Sequence, residues 1–290
     1  MLHVNGDGPG QRAAAGRRHH GRVEDAWRRQ DLSAGFDEAA EAYQRTRPVC
    51  PPQLFDDLVG LAGLRSGDRV AEIGCGTGQA TVPLAERGMT VTAVEPGGNL
   101  AAVARRRLAG FPSADVLATS FEDWQPRRGC FDAVVAVNSL HWVDPRFRYS
   151  KPSGLLRPGA AMVVAGCQWA RPPDAERFWT DVQQDYQAVG YPGDPPPPPG
   201  QIGAPHLPAE AAAFFEEVAC LRYPFQIRYS AEDYLANLAT QSGTRSLSPA
   251  RRADFLSRVA GRLNFLGSPR LTATFVGYLT VGRRRGSARR

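Results

Sequence analysis

The middle of the chain alternates between short apolar runs and helical repeats. Leucines and one phenylalanine recur at helical spacing over residues 53–64, which predicts an amphipathic helix. The pattern that follows predicts strands at 69–73, 90–94, 116–118, 131–137 and 161–165, with helices between them at 79–87, 100–108 and 149–156. This regular alternation predicts an α/β fold, in which a doubly wound, mostly parallel sheet is covered by helices on both faces.

The pattern changes after Gly166. Residues 168–270 are rich in aromatic side chains and helical repeats, and the run DPPPPPG at 194–200 interrupts them as a loop. The segment 220–229 also fits a strand, and 271–281 alternates like a final strand, so that the predicted sheet has seven strands. We therefore interpret 168–270 as a helical cap that is inserted into one fold and covers a ligand.

The charge is concentrated at the two ends of the chain. We predict a disordered N-terminal segment at 1–32, a core at 33–167, the cap at 168–270, a last core strand at 271–282 and a basic disordered tail at 283–290. Residues 1–30 carry a charge of +3 and the tail carries +5, so the net +6 leaves the body at −2. Solvated termini are favoured over a phosphate-binding arm, and a transit segment is a further alternative for the N-terminus.

The overall composition is that of an ordinary globular protein. It has 42% hydrophobic and 22% charged residues, and no apolar run approaches the ~20 residues of a membrane span. The five cysteines are scattered without a CxxC pair, which argues against a zinc site or a disulfide framework. We expect a cytoplasmic protein, a monomer or homodimer, with no metal, no membrane and no nucleic-acid partner.

A glycine loop follows the first predicted strand, in RVAEIGCGTGQAT. The dinucleotide fingerprint is GxGxxG, whereas Gly74, Gly76 and Gly78 form GxGxG, with the third glycine one residue early. This shorter turn before a helix suits a carboxylate-bearing ligand better than a pyrophosphate. Glu95 ends the next strand, 17 residues after Gly78, where a carboxylate can accept both hydroxyls of a ribose. The alternative is an exposed acid without a ligand.

Several stretches together resemble a known family. The run ExGxGxG with a strand-end acid is similar to class I S-adenosylmethionine-dependent methyltransferases, in the small-molecule branch that includes trans-aconitate and quinone-biosynthesis enzymes. Further similar stretches are AEAYQRTRPVCPP, ATSFEDW, FDAVVAVNSLHWVD and LLRPGAAMVV. The resemblance runs from about residue 36 to 166 and continues more loosely to the end. It implies the cofactor S-adenosylmethionine and the product S-adenosylhomocysteine.

The resemblance also implies site residues. The glycine loop with Glu72 would cradle the methionine part, Glu95 would bind the ribose, and the turn around Phe121 would frame the adenine. The full implied cofactor set is Tyr43, Arg47, Glu72, Gly74, Cys75, Gly76, Gly78, Glu95, Pro96, Ser120, Phe121, Glu122 and Asn138. Ser120 stands where the family often has Asp, so Ser120 or Glu122 would take over the adenine contact. The implied substrate pocket contains Tyr43, His141 and Trp142.

The reaction implied is an in-line displacement that moves a methyl group to O, N or C of a small molecule. Orientation and a dry site suffice for this chemistry, and the aromatic side chains of the cap suit a positive sulfonium. His141 is either a general base or part of a structural His-Trp pair. Other readings are a nucleic-acid or protein methyltransferase, and a cofactor-binding protein with different chemistry. A nicotinamide oxidoreductase does not fit the glycine spacing.

Overall fold

The computed structural model describes residue 37 and residues 39–172, 177–191, 195–266 and 270–286. The predicted disordered segment 1–32 lies outside this part of the chain. The helices are α1 (Ala40–Thr46), α2 (Pro52–Ala62), α3 (Thr81–Glu86), α4 (Gly98–Arg107), α5 (Ser150–Leu155), α6 (Arg177–Ala188), α7 (Ala231–Ala239), α8 (Ser242–Arg245) and α9 (Pro249–Leu263). None of the helices among these residues has the length and apolar character that a membrane crossing requires.

Seven strands form one sheet, which confirms the predicted fold class. The strands are β1 (Arg69–Ile73), β2 (Thr90–Val94), β3 (Ala114–Leu117), β4 (Phe131–Val137), β5 (Leu156–Ala170), β6 (Phe215–Ser230) and β7 (Arg270–Arg284). They lie in the order β3-β2-β1-β4-β5-β7-β6. The first five pair in parallel, and β7 runs antiparallel to both of its neighbours.

The central strands are apolar because both faces of the sheet are covered. Four of the five residues of β1 are buried, and β4 has the burial pattern of a strand enclosed on both sides. Leu58 of α2 and Leu84 of α3 belong to the hydrophobic cluster on one face. Phe131 of β4 and Leu155 of α5 belong to the cluster on the other. Continuous apolar runs of this kind explain why the bounds of β1, β2 and β4 match the sequence prediction.

The segment 168–270 is built differently from the predicted helical cap. Strand β5 continues to Ala170, and β6 lies within the segment and pairs with β7 along the edge of the core sheet. Helices α6, α7 and α9 pack against the extended parts of these strands around a third hydrophobic cluster. This segment therefore completes the sheet as well as carrying helices.

The end of the chain also differs from its prediction. Strand β7 runs to Arg284, so the basic tail predicted at 283–290 begins too early, and residues 287–290 lie outside the described part. The Arg283 guanidinium donates to the carbonyl oxygens of Leu61 (2.6 Å) and Ala62 (2.9 Å), at the C-terminal end of α2. These two carbonyls lack helical partners, so the arginine caps the helix instead of extending into solvent.

The strand order reverses between β1 and β4, which both pair in parallel with β-strands on either side. In doubly wound sheets, ligands bind outside the carboxyl ends of the strands at this reversal. The loops that follow β1, β2, β3 and β4 all reach this rim, and the candidate site is formed there.

Candidate functional site

The glycine loop after β1 has a backbone that side chains would strain. Gly74, Gly76 and Gly78 have φ values of +63°, +57° and +79°, all in the left-handed region. At Gly74 a Cβ would also lie 2.7 Å from the Cβ of Ser139, which follows β4. The first glycine is thus required both by its backbone conformation and by the close approach of the β4 loop.

Glu95 is a carboxylate held in place by backbone donors. It follows β2 and is 7% exposed. Its Oε2 accepts a hydrogen bond from the Gly76 amide and its Oε1 from the Gly97 amide, each at 2.9 Å. Burial raises its pKa, and these two hydrogen bonds offset part of the rise. Each oxygen retains a further lone pair, so the group is positioned to accept two hydroxyl donors from a ligand.

Glu72 is buried without an adequate partner. It lies within β1 with 1% exposure, and its Oε2 has no hydrogen bond in the described part of the protein. Burial raises its pKa to about 7, the charge of Glu95 adds to the rise, and the nearby Thr81 hydroxyl opposes it. Thr81 Oγ1 itself makes no hydrogen bond, so its proximity does not satisfy the carboxylate. A buried carboxyl in this state favours a cationic or hydrogen-bond-donating ligand.

A cavity of about 460 Å³ opens beside these two carboxyl groups. It is bordered by α1 and by the loops after β1, β2, β3 and β4. Twelve of the residues implied by the sequence line it together: Tyr43, Glu72, Gly74, Cys75, Gly76, Glu95, Pro96, Ser120, Phe121, Glu122, Asn138 and Trp142. The sequence pattern and the geometry therefore identify the same rim.

Three implied site residues do not line the cavity. Gly78 faces α4, where a Cβ would lie 3.5 Å from that of Ala104. The Arg47 guanidinium donates to Thr240 through Nη2 to the carbonyl (2.7 Å) and through Nε to the hydroxyl (3.1 Å). It also lies 4.9 Å from the centroid of the Tyr43 ring, so Arg47 joins α1 to α7.

His141 is the third of these residues. Its ring lies 4.7 Å from that of Trp142, which does line the cavity. Its side chain keeps solvent exposure, yet the protein packed around the ring and the charge of Arg148 lower its pKa. This arrangement agrees with a structural His-Trp pair, and a role for His141 as general base stays a prediction.

The turn after β3 is organised by its own polar groups. Ser120 Oγ donates to Asp123 Oδ2 (2.7 Å), and Glu122 Oε1 accepts from the amide of Asp144 (2.7 Å). Lys151 Nζ donates to the carbonyl oxygens of Phe121 (2.6 Å) and Glu122 (2.9 Å). Ser120 is thus engaged within the protein, and Asp123 is the additional acid at the cavity that fixes its orientation.

Asn138 stands at the end of β4 with a φ of +55°. Its Oδ1 accepts a hydrogen bond from the Cys167 amide at 2.9 Å. A non-glycine residue in the left-handed region is uncommon, although Asn tolerates it better than most. The conformation turns the chain out of the sheet and brings Ser139 beneath the glycine loop, where its hydroxyl donates to the Ile73 carbonyl.

Sequence reasoning missed part of the cavity wall. Six of these residues come from the segment before α2 and from the loop after β4, and the others are scattered: Pro48, Val49, Cys50, Phe55, Ile73, Gln79, Ala80, Leu100, Asp123, Val137, Ser139, Val143 and Asp144. The motif RPVCPP contained a signal for the first of these, because prolines hold a segment extended beside a helix start. No comparable signal marked the buried apolar members.

The wall of the cavity is acidic. Among the described residues that line it, none is Lys or Arg and five are acids: Glu72, Glu95, Glu122, Asp123 and Asp144. The lining residues come from the first half of the chain, because none of the described residues after Asp144 lines the cavity. The role of 168–270 as a substrate cap stays a prediction, and none of its described residues reaches the cavity.

Comparisons with known proteins identify similar methyltransferase sequences. Residues 70–159 match a sequence family described as a methyltransferase domain. An uncharacterized methyltransferase of Mycobacterium tuberculosis is 34% identical over 167 residues, which is 58% of this chain and 63% of the relative. A demethylmenaquinone methyltransferase of Clavibacter sepedonicus is 32% identical over 153 residues, which is 49% of this chain and 59% of that protein. The match therefore covers less than two thirds of either relative.

The fold has similar solved structures as well. A proposed type II methyltransferase from Anaeromyxobacter dehalogenans superposes with a TM-score of 0.59 at 21% identity, covering 82% of this chain and 97% of that chain. At this level of identity the likeness concerns the fold, including the helices and strands after β5.

Proposed function

We propose that this chain, whose residues 70–159 match a methyltransferase-domain family, is a class I S-adenosylmethionine-dependent methyltransferase that transfers a methyl group from that cofactor to a small-molecule acceptor. The observation that carries the proposal is the pair of buried carboxyl groups at one cavity. Glu95 is fixed by two amides with accepting capacity to spare, and Glu72 has an unpartnered oxygen. A nucleoside joined to an amino acid carries the donors that these two groups lack.

The cavity residues fit the two ends of such a cofactor. The fixed carboxylate of Glu95 suits the two ribose hydroxyls, because one carboxylate can accept two O–H donors. The ammonium of an amino acid end would supply the charge-assisted donor that Glu72 needs. Phe121, which is 3% exposed, and the Ser120–Asp123 turn provide an apolar face and acceptors for an adenine.

When bound, the cofactor supplies a methyl group on a positively charged sulfonium. The acidic wall favours a cationic ligand, and the aromatic faces of Tyr43 and Trp142 suit a sulfonium close to them. The protein's own contribution is to hold the donor, orient the acceptor and exclude water. A base is required only for acceptors whose nucleophile carries a proton of high pKa.

The acceptor that this wall favours is neutral or cationic. A carboxylate or phosphate acceptor would find no Lys or Arg to pair with among the described residues that line this cavity, and an unpaired anion is costly to bury. Apolar wall residues, among them Val49, Phe55 and Val143, would contact an aromatic or aliphatic ring. A quinone-type phenol, of the kind named for the Clavibacter relative, is one acceptor of this class. We propose that the protein is located in the cytoplasm.

Calorimetry and a methyl-transfer assay test the proposal in two steps. S-adenosylhomocysteine should bind the purified chain with a Kd in the micromolar range, and NAD should not compete with it. Isotopically labelled methyl groups should then appear on neutral or cationic small acceptors from a panel that includes carboxylates, RNA and protein. Tight binding of NAD alone would reject the cofactor assignment. Labelling confined to RNA or protein would instead favour the macromolecular alternative.

A further inference from the structure

Two cysteines that are far apart in the sequence meet beside the cavity. Cys50 Sγ and Cys167 Sγ lie 3.0 Å apart, although the two residues are 117 positions apart in the chain. Cys50 is 5% exposed and lines the cavity, whereas Cys167 lies within β5 and packs against the same hydrophobic cluster. The two sulfur atoms need to approach by only about 1 Å to reach the length of a disulfide bond.

We propose that Cys50 and Cys167 form a covalent modification site, at which a two-electron oxidation joins the two sulfurs in an intramolecular disulfide that fixes one wall of the cavity. The site is separate from the methyl-transfer chemistry. Its effect on ligand access rests on the proposed function, whereas the formation of the bond does not.

The two partners differ in backbone setting in a way that allows the bond to form. Cys167 is held in β5, which pairs with β4 on one side and β7 on the other, and its amide donates to Asn138. Residues 48–50, in contrast, belong to no helix or strand. The small approach of the sulfurs can therefore occur by a shift of the Cys50 segment without any change of register in the sheet.

The chemistry balances with a peroxide as oxidant. Because Cys50 lines the cavity, a small peroxide can reach its sulfur, which displaces one oxygen and becomes a sulfenic acid while the first water leaves. The Cys167 sulfur then attacks the oxidised sulfur, forms the S–S bond and releases the second water. Both thiol protons end in water, two electrons pass to the peroxide, and thiol reductants reverse the reaction.

The order of attack follows from the surroundings of the two sulfurs. The hydrogen bond with Cys50 and then burial raise the pKa of the Cys167 thiol well above its usual value. Cys50 lines the cavity and Cys167 does not, so Cys50 is the sulfur that a peroxide in the cavity meets first. Cys167, in contact with Cys50, acts as the resolving partner, and its raised pKa slows this second step because the attacking species is the thiolate.

The bond would restrict the segment that precedes α2. This segment is anchored on its other side, because the Thr46 carbonyl accepts from Tyr229 Oη (3.0 Å) and Asn237 Nδ2 (2.8 Å). A second anchor at Cys50 would fix Pro48 and Val49, which lie between the anchors and line the cavity. We expect the oxidised protein to exchange its cavity ligand more slowly than the reduced protein does.

The other cysteines provide matched controls. Cys130 donates to the Arg127 carbonyl at 2.9 Å and Cys220 to the Ala204 carbonyl at 3.4 Å, and neither lines the cavity. Replacing Cys130 or Cys220 by Ser should therefore leave the proposed disulfide intact. Replacing Cys167 by Ser should prevent it, and Cys50→Ala offers a second variant should Cys167→Ser fold poorly.

The test is a thiol count with peptide mapping on the full chain, treated with hydrogen peroxide and then denatured. The reduced protein has five titratable thiols, and one disulfide leaves three. Non-reducing mapping should show the Cys50 peptide joined to the Cys167 peptide within one chain, in the wild type, Cys130→Ser and Cys220→Ser. The melting temperature of the oxidised wild type should rise by roughly 5–10 °C.

The proposal is overturned by five remaining thiols, by a bond between other cysteines, or by a bond between two chains. A separate arm adds S-adenosylhomocysteine before the peroxide. Slower formation of the same disulfide would support ligand access through this wall. Formation at an unchanged rate would contradict the cofactor's place at this wall and leave the modification site standing, so that the two failures are distinguishable.

Discussion

The two halves of the sheet use their buried polar and aromatic groups in opposite ways. Between β1 and the loop after β4, carboxyl groups, glycines and amides surround a cavity, and Glu72 has an unpartnered oxygen. In the region from 166 to 284, the aromatic side chains pack on one another and the buried Asp185 is paired with Arg262. The first half presents an unpartnered carboxyl oxygen to a ligand, whereas in the second the buried carboxylate of Asp185 and the clustered rings have partners within the protein.

This difference separates binding from stability. Trp169 contacts Trp179, Tyr234 and Phe275, with ring centroids 4.4–6.1 Å apart, and such a cluster stabilises the helices after β5. Aromatic composition alone had favoured a cap facing a sulfonium. The contacts show that these rings pack on each other. They cover the extended parts of β5 and β7, which would otherwise expose apolar surface to water.

Phe275→Ala should give the largest effect on stability and little effect on binding. The ring is fully buried in β7 and contacts Trp169 and Phe225, so its loss should lower the free energy of unfolding by about 3–5 kcal/mol. Urea unfolding measures this change, with Phe265→Ala, at a 90% exposed position, as control. A loss of S-adenosylhomocysteine affinity greater than about tenfold in the folded variant would break the separation.

Glu95→Ala should show the converse pattern. Two hydrogen bonds from ligand hydroxyls to a carboxylate contribute about 1.5–3 kcal/mol each, so the affinity for S-adenosylhomocysteine should fall by at least about 100-fold. Calorimetry on the folded variant measures the change. Glu216→Ala, at an exposed position on β6, is the matched control and should bind normally. Affinity within about threefold of wild type would remove Glu95 from the site.

The affinity for S-adenosylhomocysteine should depend on pH through Glu72. The carboxyl must be ionised to hold an ammonium, and its pKa in the folded protein is about 7. Protonation as the pH falls from 8 to 6 should therefore weaken binding by roughly tenfold. Glu72→Gln should bind weakly at both values, without this dependence. An unchanged dependence in the variant would assign it to another group.

The stability should depend on pH through the same carboxyl, in the opposite direction. Its folded pKa is raised above the unfolded value, so the neutral form favours folding at low pH, and this contribution is lost as the pH rises through about 7. The free energy of unfolding of wild type minus that of Glu72→Gln should fall between pH 5 and pH 8, by up to about 3 kcal/mol. A flat difference would indicate that Glu72 is satisfied.

His141→Ala should have the smallest effect. The ring does not line the cavity, so turnover on an accepted substrate should stay within about threefold of wild type. Trp142→Ala, one residue further and at the cavity, is the comparison and should raise the acceptor KM. A fall in kcat of about 100-fold for His141→Ala, with cofactor binding kept, would restore the general-base role.

The sequence predicted the first half well because its signals are local. The apolar runs of β1, β2 and β4 are buried on both faces. The glycine loop requires glycine at its left-handed positions, and these glycines form a recognisable sequence motif. The wall formed by residues 48–55 was not predicted as a wall, because its position depends on packing against strands more than 80 residues away. The contact of Cys50 with Cys167 has the same origin.

The second half was less predictable because its signals are ambiguous. Strand β6 is an edge strand with one polar face, and its pairing with β7 is set by register, which single-sequence patterns do not contain. The state of Glu72 was equally hidden, since an acid in a strand is ordinary until burial removes its water and no donor replaces it.

Hydrogen–deuterium exchange of the full chain, with and without S-adenosylhomocysteine, tests the separation of the two halves most directly. We predict slower exchange at 72–79, 95–100, 120–124 and 138–144, with no change at 177–188 or 249–263. Protection centred on 177–263, or none in the glycine loop, would contradict the account.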